Sequence, residues 1–271
     1  MERARLGGIQ FINSLPIEYA LDRQIVTGPF TFTRLAPIEL NRRVANKELD
    51  VSPISSIALA RHTNQVTVIP DFAISSHAGV KSVVLYSQRP IDELMSVPIG
   101  FMGKGETTPA LLRILCNFRY GFEPRLTDRS SEAELLIGDE AIHAIGLNRF
   151  HDWHQYDLAE IWSEWTGLNF VFAVWVVQKE FLSDNQELFG EVLKAMRDSK
   201  EWGNHHLVEI IREATFQMPI SPDFLAAYFN YIQYALDDDC LKGLDHFYEL
   251  AAELKILPRR VRVGELDHLH T

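Results

Sequence analysis

The side chains in this sequence best suited to hold a small anion are hydroxyls and amides set at the ends of apolar runs. Ser55 and Ser56 close the run at 51–54 and sit where a helix would begin. Their hydroxyls and the free N–H groups of a first helical turn can therefore face an anion. The turn Ser75-Ser76-His77-Ala78-Gly79 feeds a second apolar run, 80–86, which carries Ser82 near its start. Asn13-Ser14-Leu15-Pro16 follows a strand-like run at 5–12, and in open α/β sheets ligands bind at that carboxyl end. Further on, Gly103-Lys104-Gly105-Glu106-Thr107-Thr108 combines two glycines, a lysine and two hydroxyls at a helix start. Each residue also has a plain structural use. Asn13 and the serines suit caps and turns, and Asp139, just after the run 135–137, suits an N-cap as well as a ligand contact.

Other chemistries fit less well. The glycine loop lacks the GxxxxGK[ST] spacing of a nucleotide P-loop. His151 and His154 lie in an aromatic-rich FHDWHQYD stretch without metal-ligand spacing, and His205, His206, His268 and His270 read as solvated or locally hydrogen-bonded rather than catalytic. No metal site is expected. The two cysteines, Cys116 and Cys240, are far apart and read as reduced, buried thiols. With 26 Lys plus Arg against 37 Asp plus Glu, the formal charge of −11 opposes nucleic-acid binding. An anionic ligand must then be held by local dipoles and a few placed donors. No apolar run is long enough to span a membrane, and the first residues lack the pattern of a secretory signal, so a cytoplasmic protein is expected.

The elements that must position these groups alternate. A strand at 30–35, an amphipathic helix at 37–46 and a buried strand at 51–54 form a β–α–β unit, and a helix at 55–61 and a strand near 66–69 continue it. This predicts an α/β, parallel-rich sheet covered by helices. Gln88-Arg89-Pro90 breaks the pattern, and alternation restarts with a strand at 97–102, a helix at 108–120 and a strand at 135–137. A helix at 157–165 ends at Thr166-Gly167 before a strong strand at 170–177. At 271 residues the chain has room for two lobes. The expected division is 1–86 with 178–271 in lobe I and 87–177 in lobe II, joined by crossings at 80–86 and 170–177 that act as a hinge. From Ser183 onward the chain reads as helical, with Ser183 capping a run to 204, Ser221-Pro222-Asp223 starting another helix and a last one at 241–254. These helices are expected to cover lobe I.

Six segments together resemble the menaquinone-biosynthesis chorismate dehydratases of the futalosine pathway, the MqnA family. They are FINSLP at 11–16, ELDVSPISSIALAR at 48–61, VKSVVLYS at 80–87, TTPALLRILC at 107–116, ELLIGDEA at 134–141 and TGLNFVFAVW at 166–175. The resemblance implies a type II periplasmic-binding-protein-like fold with the substrate in a cleft between two lobes. It implies conversion of chorismate to 3-[(1-carboxyvinyl)oxy]benzoate plus water, with neither metal nor organic cofactor. By the same resemblance Asn13 and Ser82 match active-site positions, and Ser14, Ser55, Ser56, Thr107, Thr108 and Asp139 are candidates for substrate binding. Two departures stand out. Asn169 replaces the usual proline of Thr-Gly-Leu-Pro-Phe, and Thr107-Thr108 replaces a Thr-Ser pair. Lys104 and Glu106 lie in a less typical loop and receive no catalytic role. Two alternatives share the fold: a solute-binding protein, disfavoured by the N-terminal pattern, and the related 1,4-dihydroxy-6-naphthoate synthase, disfavoured by FINSLP. Monomer and homodimer remain equally open.

Overall fold

The computed structural model describes residues 3–103 and 105–269. Lys104 and His270, both considered above, lie outside the described residues. The first part of the chain alternates β1 (Ala4–Ile9), α1 (Leu15–Asp22), β2 (Phe30–Leu35), α2 (Pro37–Ala45), β3 (Val51–Ser55), α3 (Ser56–Arg61) and the long β4 (Val66–Ser76). A second unit follows: β5 (Val83–Ser87), β6 (Pro98–Gly100), α4 (Thr107–Phe118), β7 (Arg125–Thr127), β8 (Ala133–Ile137), α5 (Asp139–Gly146) and β9 (His154–Asp157). The chain returns through α6 (Leu158–Thr166) to β10 (Phe170–Gln178). It ends in α7 (Lys179–Asp184), α8 (Gln186–His205), α9 (Leu207–Gln217), α10 (Pro222–Tyr231) and α11 (Asp238–Glu253).

Among the described residues the strands form two five-stranded sheets, ordered β2-β1-β3-β10-β4 and β7-β6-β8-β5-β9. In the first, β1 runs parallel to β2 and β3, while β10 runs antiparallel to both β3 and β4. In the second, β6 is parallel to β7 and β8, and β5 is antiparallel to β8 and β9. Each sheet is therefore mixed, with four strands running one way and one, β10 or β5, the other, because each takes in a strand of the chain as it arrives from the other. Val51–Ser55 and Val83–Ser87 are buried along their whole length, as apolar strands covered on both faces must be.

The expected division at residues 87 and 178 differs from these sheet memberships. β5 belongs to the second sheet and β10 to the middle of the first, so the crossings are the segment 77–82 and the turn after α6. An apolar run shows that a strand is buried; it does not show which sheet buries it. Asp157 ties the crossings together. One carboxylate oxygen caps α6 through the N–H groups of Ala159 (3.0 Å) and Glu160 (3.3 Å), and the other accepts from Val80 and Lys81 (2.7 Å each). Burial pushes its pKa up against these bonds. Asn169 makes a second tie, with Oδ1 2.7 Å from His77 Nδ1 and Nδ2 donating to Gln233 (3.2 Å). A proline at 169 makes neither bond.

The C-terminal helices cover the first sheet, with α8 against α1 and α11 against β10 and α3; α11 also reaches α4 of the second unit. Trp162, fully buried on α6, meets Phe170 (5.4 Å between centroids) and Phe247 (6.4 Å) edge-on. Such aromatic pairs contribute about 0.5–1.5 kcal/mol beyond area burial. Ser183 is not the expected cap: it lies inside α7 and donates to the Glu180 carbonyl, and the helix breaks at Asn185, where φ is −134°. Gly167, at φ +71°, ends α6 as expected.

Candidate active site

Between the sheets lies a cavity of about 80 Å³. Asn13 and Ser55 reach it from the first lobe, and Ser82, Thr107 and Thr108 from the second, so five of the eight candidate residues line one space. Among the described lining residues there is no lysine or arginine, and Glu106 is the one ionisable side chain. The lining is otherwise apolar, with Ile9, Ile54, Ile74, Val83 and Phe172 among its members.

Asn13 sits on a 3-10 turn, Ile12–Ser14, between β1 and α1. Buried Ile12 and Leu15 anchor the turn, and Pro16 opens α1, where a missing N–H costs nothing. Three ionisable side chains hold its backbone. Glu18, 1% exposed, accepts from the Ile9 N–H (3.0 and 3.1 Å) and from Ser14 Oγ (2.7 Å). Arg34 donates to the carbonyls of Ile9 (2.9 Å) and Phe11 (3.1 Å). Asp139, from the second lobe, accepts from the Ile12 N–H at 2.8 Å. Burial raises Glu18 to about 7 and Asp139 to about 6, with Arg34 opposing both shifts. Asn13 itself keeps a buried Oδ1 with no protein partner. A buried acceptor left open is costly unless a ligand donor fills it.

Hydroxyl directions are set by what each oxygen already accepts. Ser55 Oγ accepts from Asn41 Nδ2 (2.9 Å), while its N–H donates to Asn41 Oδ1 (3.0 Å), so the hydroxyl proton is free to donate into the cavity. Thr107 Oγ1 likewise accepts from the Ile57 N–H across the lobes at 3.2 Å, leaving its own proton for a ligand. Thr107 and Thr108 open α4, where the first-turn N–H groups have no side-chain cap. Glu106, just before them, accepts from Asn41 (2.7 Å) and Arg61 (2.7 Å) of the first lobe. Ser82 is 2% exposed. The fully buried Tyr228 hydroxyl of α10 faces Ser82 but falls short of hydrogen-bond geometry.

Three candidates are committed elsewhere. Ser14 Oγ turns inward to Glu18 and to the Ile9 and Phe11 carbonyls. Ser56 Oγ donates to the Val171 carbonyl of β10 at 2.5 Å. Asp139 is engaged at Ile12, and Gly138 rather than Asp139 lines the cavity. In each case backbone close by in the fold, though distant or hidden in sequence, offers the polar group a partner nearer than the cavity. Glu18, Arg34, Asn41 and Tyr228 were missed. Glu18 had a signal, as one carboxylate inside the apolar stretch LPIEYAL; Asn41 and Tyr228 looked like ordinary members of amphipathic helices. His154 is on an exposed edge strand, His205 and His206 bond to backbone carbonyls of their own helix, and both cysteines are free and buried. Among the described residues no cluster of three His, Cys, Asp or Glu could hold a metal ion, and no helix is long and apolar enough to cross a membrane.

Comparison with known proteins agrees with this architecture. A chorismate dehydratase of Thermus thermophilus is 27% identical over 265 residues, covering 90% of this chain and 93% of that protein. The crystal structure of protein AF1704 from Archaeoglobus fulgidus superimposes with a TM-score of 0.76 at 20% identity, over 94% of this chain and 98% of that one. The Candida albicans CA3427 gene product, described as having the generic periplasmic binding protein fold, gives 0.66 at 13% identity, over 100% and 99%. The fold is thus of the periplasmic-binding-protein type, two lobes about a cleft. A family model described as menaquinone biosynthesis matches residues 4–253, and the chain belongs to that family.

Proposed function

We propose that the protein is a hydro-lyase that converts chorismate to 3-[(1-carboxyvinyl)oxy]benzoate and water, the opening step of the futalosine route to menaquinone. The observation that carries this reading is a cavity whose open groups are neutral: the unpaired Asn13 Oδ1, Ser82, and the free protons of Ser55 and Thr107. The named activity of the Thermus thermophilus relative supports it.

The chemistry needs few protein groups. The ring proton beside the enolpyruvyl ether is acidified by conjugation to the ring carboxylate, and its loss leaves an extended dienolate that hydrogen-bond donors stabilise. Hydroxide then departs from the neighbouring carbon, the ring becomes aromatic, and the proton and hydroxide together make the water released. Ser55, Thr107, Thr108 and the α4 N-terminal amides supply donors for carboxylate. Asn13 holds the ring hydroxyl that leaves, and Ser82 assists it. Among the described lining residues there is no histidine, and the one carboxylate, Glu106, is already bonded to Arg61 and Asn41. As the family resemblance implies, the substrate's own enolpyruvyl carboxylate serves as base.

Purified protein incubated with chorismate and a chelator should consume chorismate and develop a benzoate-type ultraviolet spectrum. Tight chorismate binding without turnover would replace this reading with that of a solute-binding protein.

A further inference from the structure

The turn that carries Asn13 is held by its own lobe at every point described except one. Glu18 takes the Ile9 N–H, Arg34 takes the Ile9 and Phe11 carbonyls, and Ser14 bridges between them. The Ile12 N–H, directly before Asn13, is instead satisfied from the second lobe by Asp139 at 2.8 Å. Its neighbour Gly138 strengthens that contact. Gly138 has φ +58°, and a Cβ there would stand 2.8 Å from the Phe11 ring, so only glycine lets the ring seat on the second lobe. Lobe closure thus lands on Phe11 and Ile12, the two residues leading into Asn13.

Resting on the reading of Asn13 as the group that holds the departing hydroxyl, we infer that Asp139 is a positioning residue, coupling closure of the cleft to the orientation of Asn13. A role in holding substrate fits poorly. One Asp139 oxygen is already bonded, its side chain is absent from the cavity lining, and a carboxylate facing a dianion repels it. When the lobes separate, the Ile12 N–H loses its partner to water, and the residue before Asn13 is the one point of the turn left without a fixed bond. When they close, the bond reforms and Asn13 is set. Because this adjusts geometry in the reacting complex, its loss falls on kcat more than on KM.

The test is a double-mutant cycle. Asp139→Ala should lower kcat about 10–100-fold, as a small misplacement of a positioning group does, with KM moving less than about threefold. Asp139→Asn keeps a carbonyl oxygen that can accept from Ile12 and should recover most of that loss. In an Asn13→Ala background, Asp139→Ala should cost less than about twofold more, because two residues acting through one group are not additive. Full additivity overturns the inference, and so does an Asp139→Asn variant as impaired as Asp139→Ala. If Asn13→Ala alone turns over at the parental rate, the site reading fails, and this inference with it. Should Asp139→Ala not fold, Asp139→Ser, too short to reach Ile12, takes its place against Asp139→Asn; parental kcat in both then overturns the coupling.

Discussion

The two polar walls of the cleft are built in opposite ways. The turn at Ile12–Ser14 is braced mainly by its own lobe, through buried Glu18 and half-buried Arg34, and takes one bond, from Asp139 to the Ile12 N–H, from the second lobe. The start of α4 has no cap of its own: Glu106 is bonded to Asn41 and Arg61, and Thr107 to the Ile57 N–H, all from the facing lobe. One wall is largely built from within its own lobe and receives a last bond on closure, and the other is assembled by closure. Under the function proposed above, this asymmetry has a use. The rigid wall fixes the reacting end of the ligand, and the assembled wall encloses it.

The contrast can be broken by mutation, most severely at the cavity itself. Ser82→Ala and Asn13→Asp should each lower turnover by about 10²–10³, the usual loss when a well-placed group at developing charge is removed. The melt of Ser82→Ala should stay within about 1 kcal/mol of the parent, since it loses at most a neutral hydrogen bond, whereas Asn13→Asp buries a carboxyl without a partner and should melt lower. Parental rates in both would remove these residues from the site. Arg34→Met should cost about 1–3 kcal/mol in denaturant unfolding, by removing the charged donor to the Ile9 and Phe11 carbonyls, which then keep only Ser14. If the braced wall is what positions Asn13, its kcat should fall as well. A variant destabilised but kinetically normal would show that the brace serves folding alone. On the other wall, Glu106→Gln should raise KM several-fold while changing stability by less than about 1 kcal/mol, because the ion pair with Arg61 is part-exposed. Small-angle scattering should then show a weaker ligand-induced fall in radius of gyration than in the parent; an unchanged response would mean that Glu106 plays no part in closing.

A last expected effect is one of pH. Glu18 is raised from 4.5 to about 7 by burial, against Arg34, Ser14 and the Ile9 N–H, with Asp22 adding a little in the same direction as burial. A carboxyl raised in the folded state binds more protons folded than unfolded, so its contribution to stability is complete below about pH 4.5 and is lost as pH rises through 7. Asp139, at about 6, has the same sign. Melting temperature should therefore decline across that window. Glu18→Gln should flatten the decline, and an identical slope in parent and variant would assign it to other groups.

The two-lobed α/β architecture was legible because β–α alternation, the break at Gln88-Arg89-Pro90 and the restart at Val97 are local features of composition and period. That Asn13, Ser55, Ser82, Thr107 and Thr108 line the cavity was legible for a similar reason, since strand ends and helix starts point into the cleft of such a fold. Ser14, Ser56 and Asp139 were misplaced because a short polar side chain bonds to whatever backbone the fold brings beside it. That backbone was Val171 for Ser56 and Ile12 for Asp139, both far away in sequence. The lobe boundaries slipped for the same kind of reason. The pairing of β10 with β3 and β4 is a long-range fact that nothing in FVFAVWVVQ announces.

That pairing also dictates an order of assembly. As the chain leaves a ribosome, β5 to β9 can meet their neighbours at once, and the second sheet closes from contiguous sequence. The first sheet cannot. β3 and β4 emerge early but do not pair with each other, and they must wait, edges open, until β10 arrives between them. The second lobe is thus an insertion that folds first, and the loop entropy of joining the ends of the first lobe falls because that insertion is already compact. Nascent chains ending just before Phe170 should then hold one folded lobe beside one unfinished, aggregation-prone sheet.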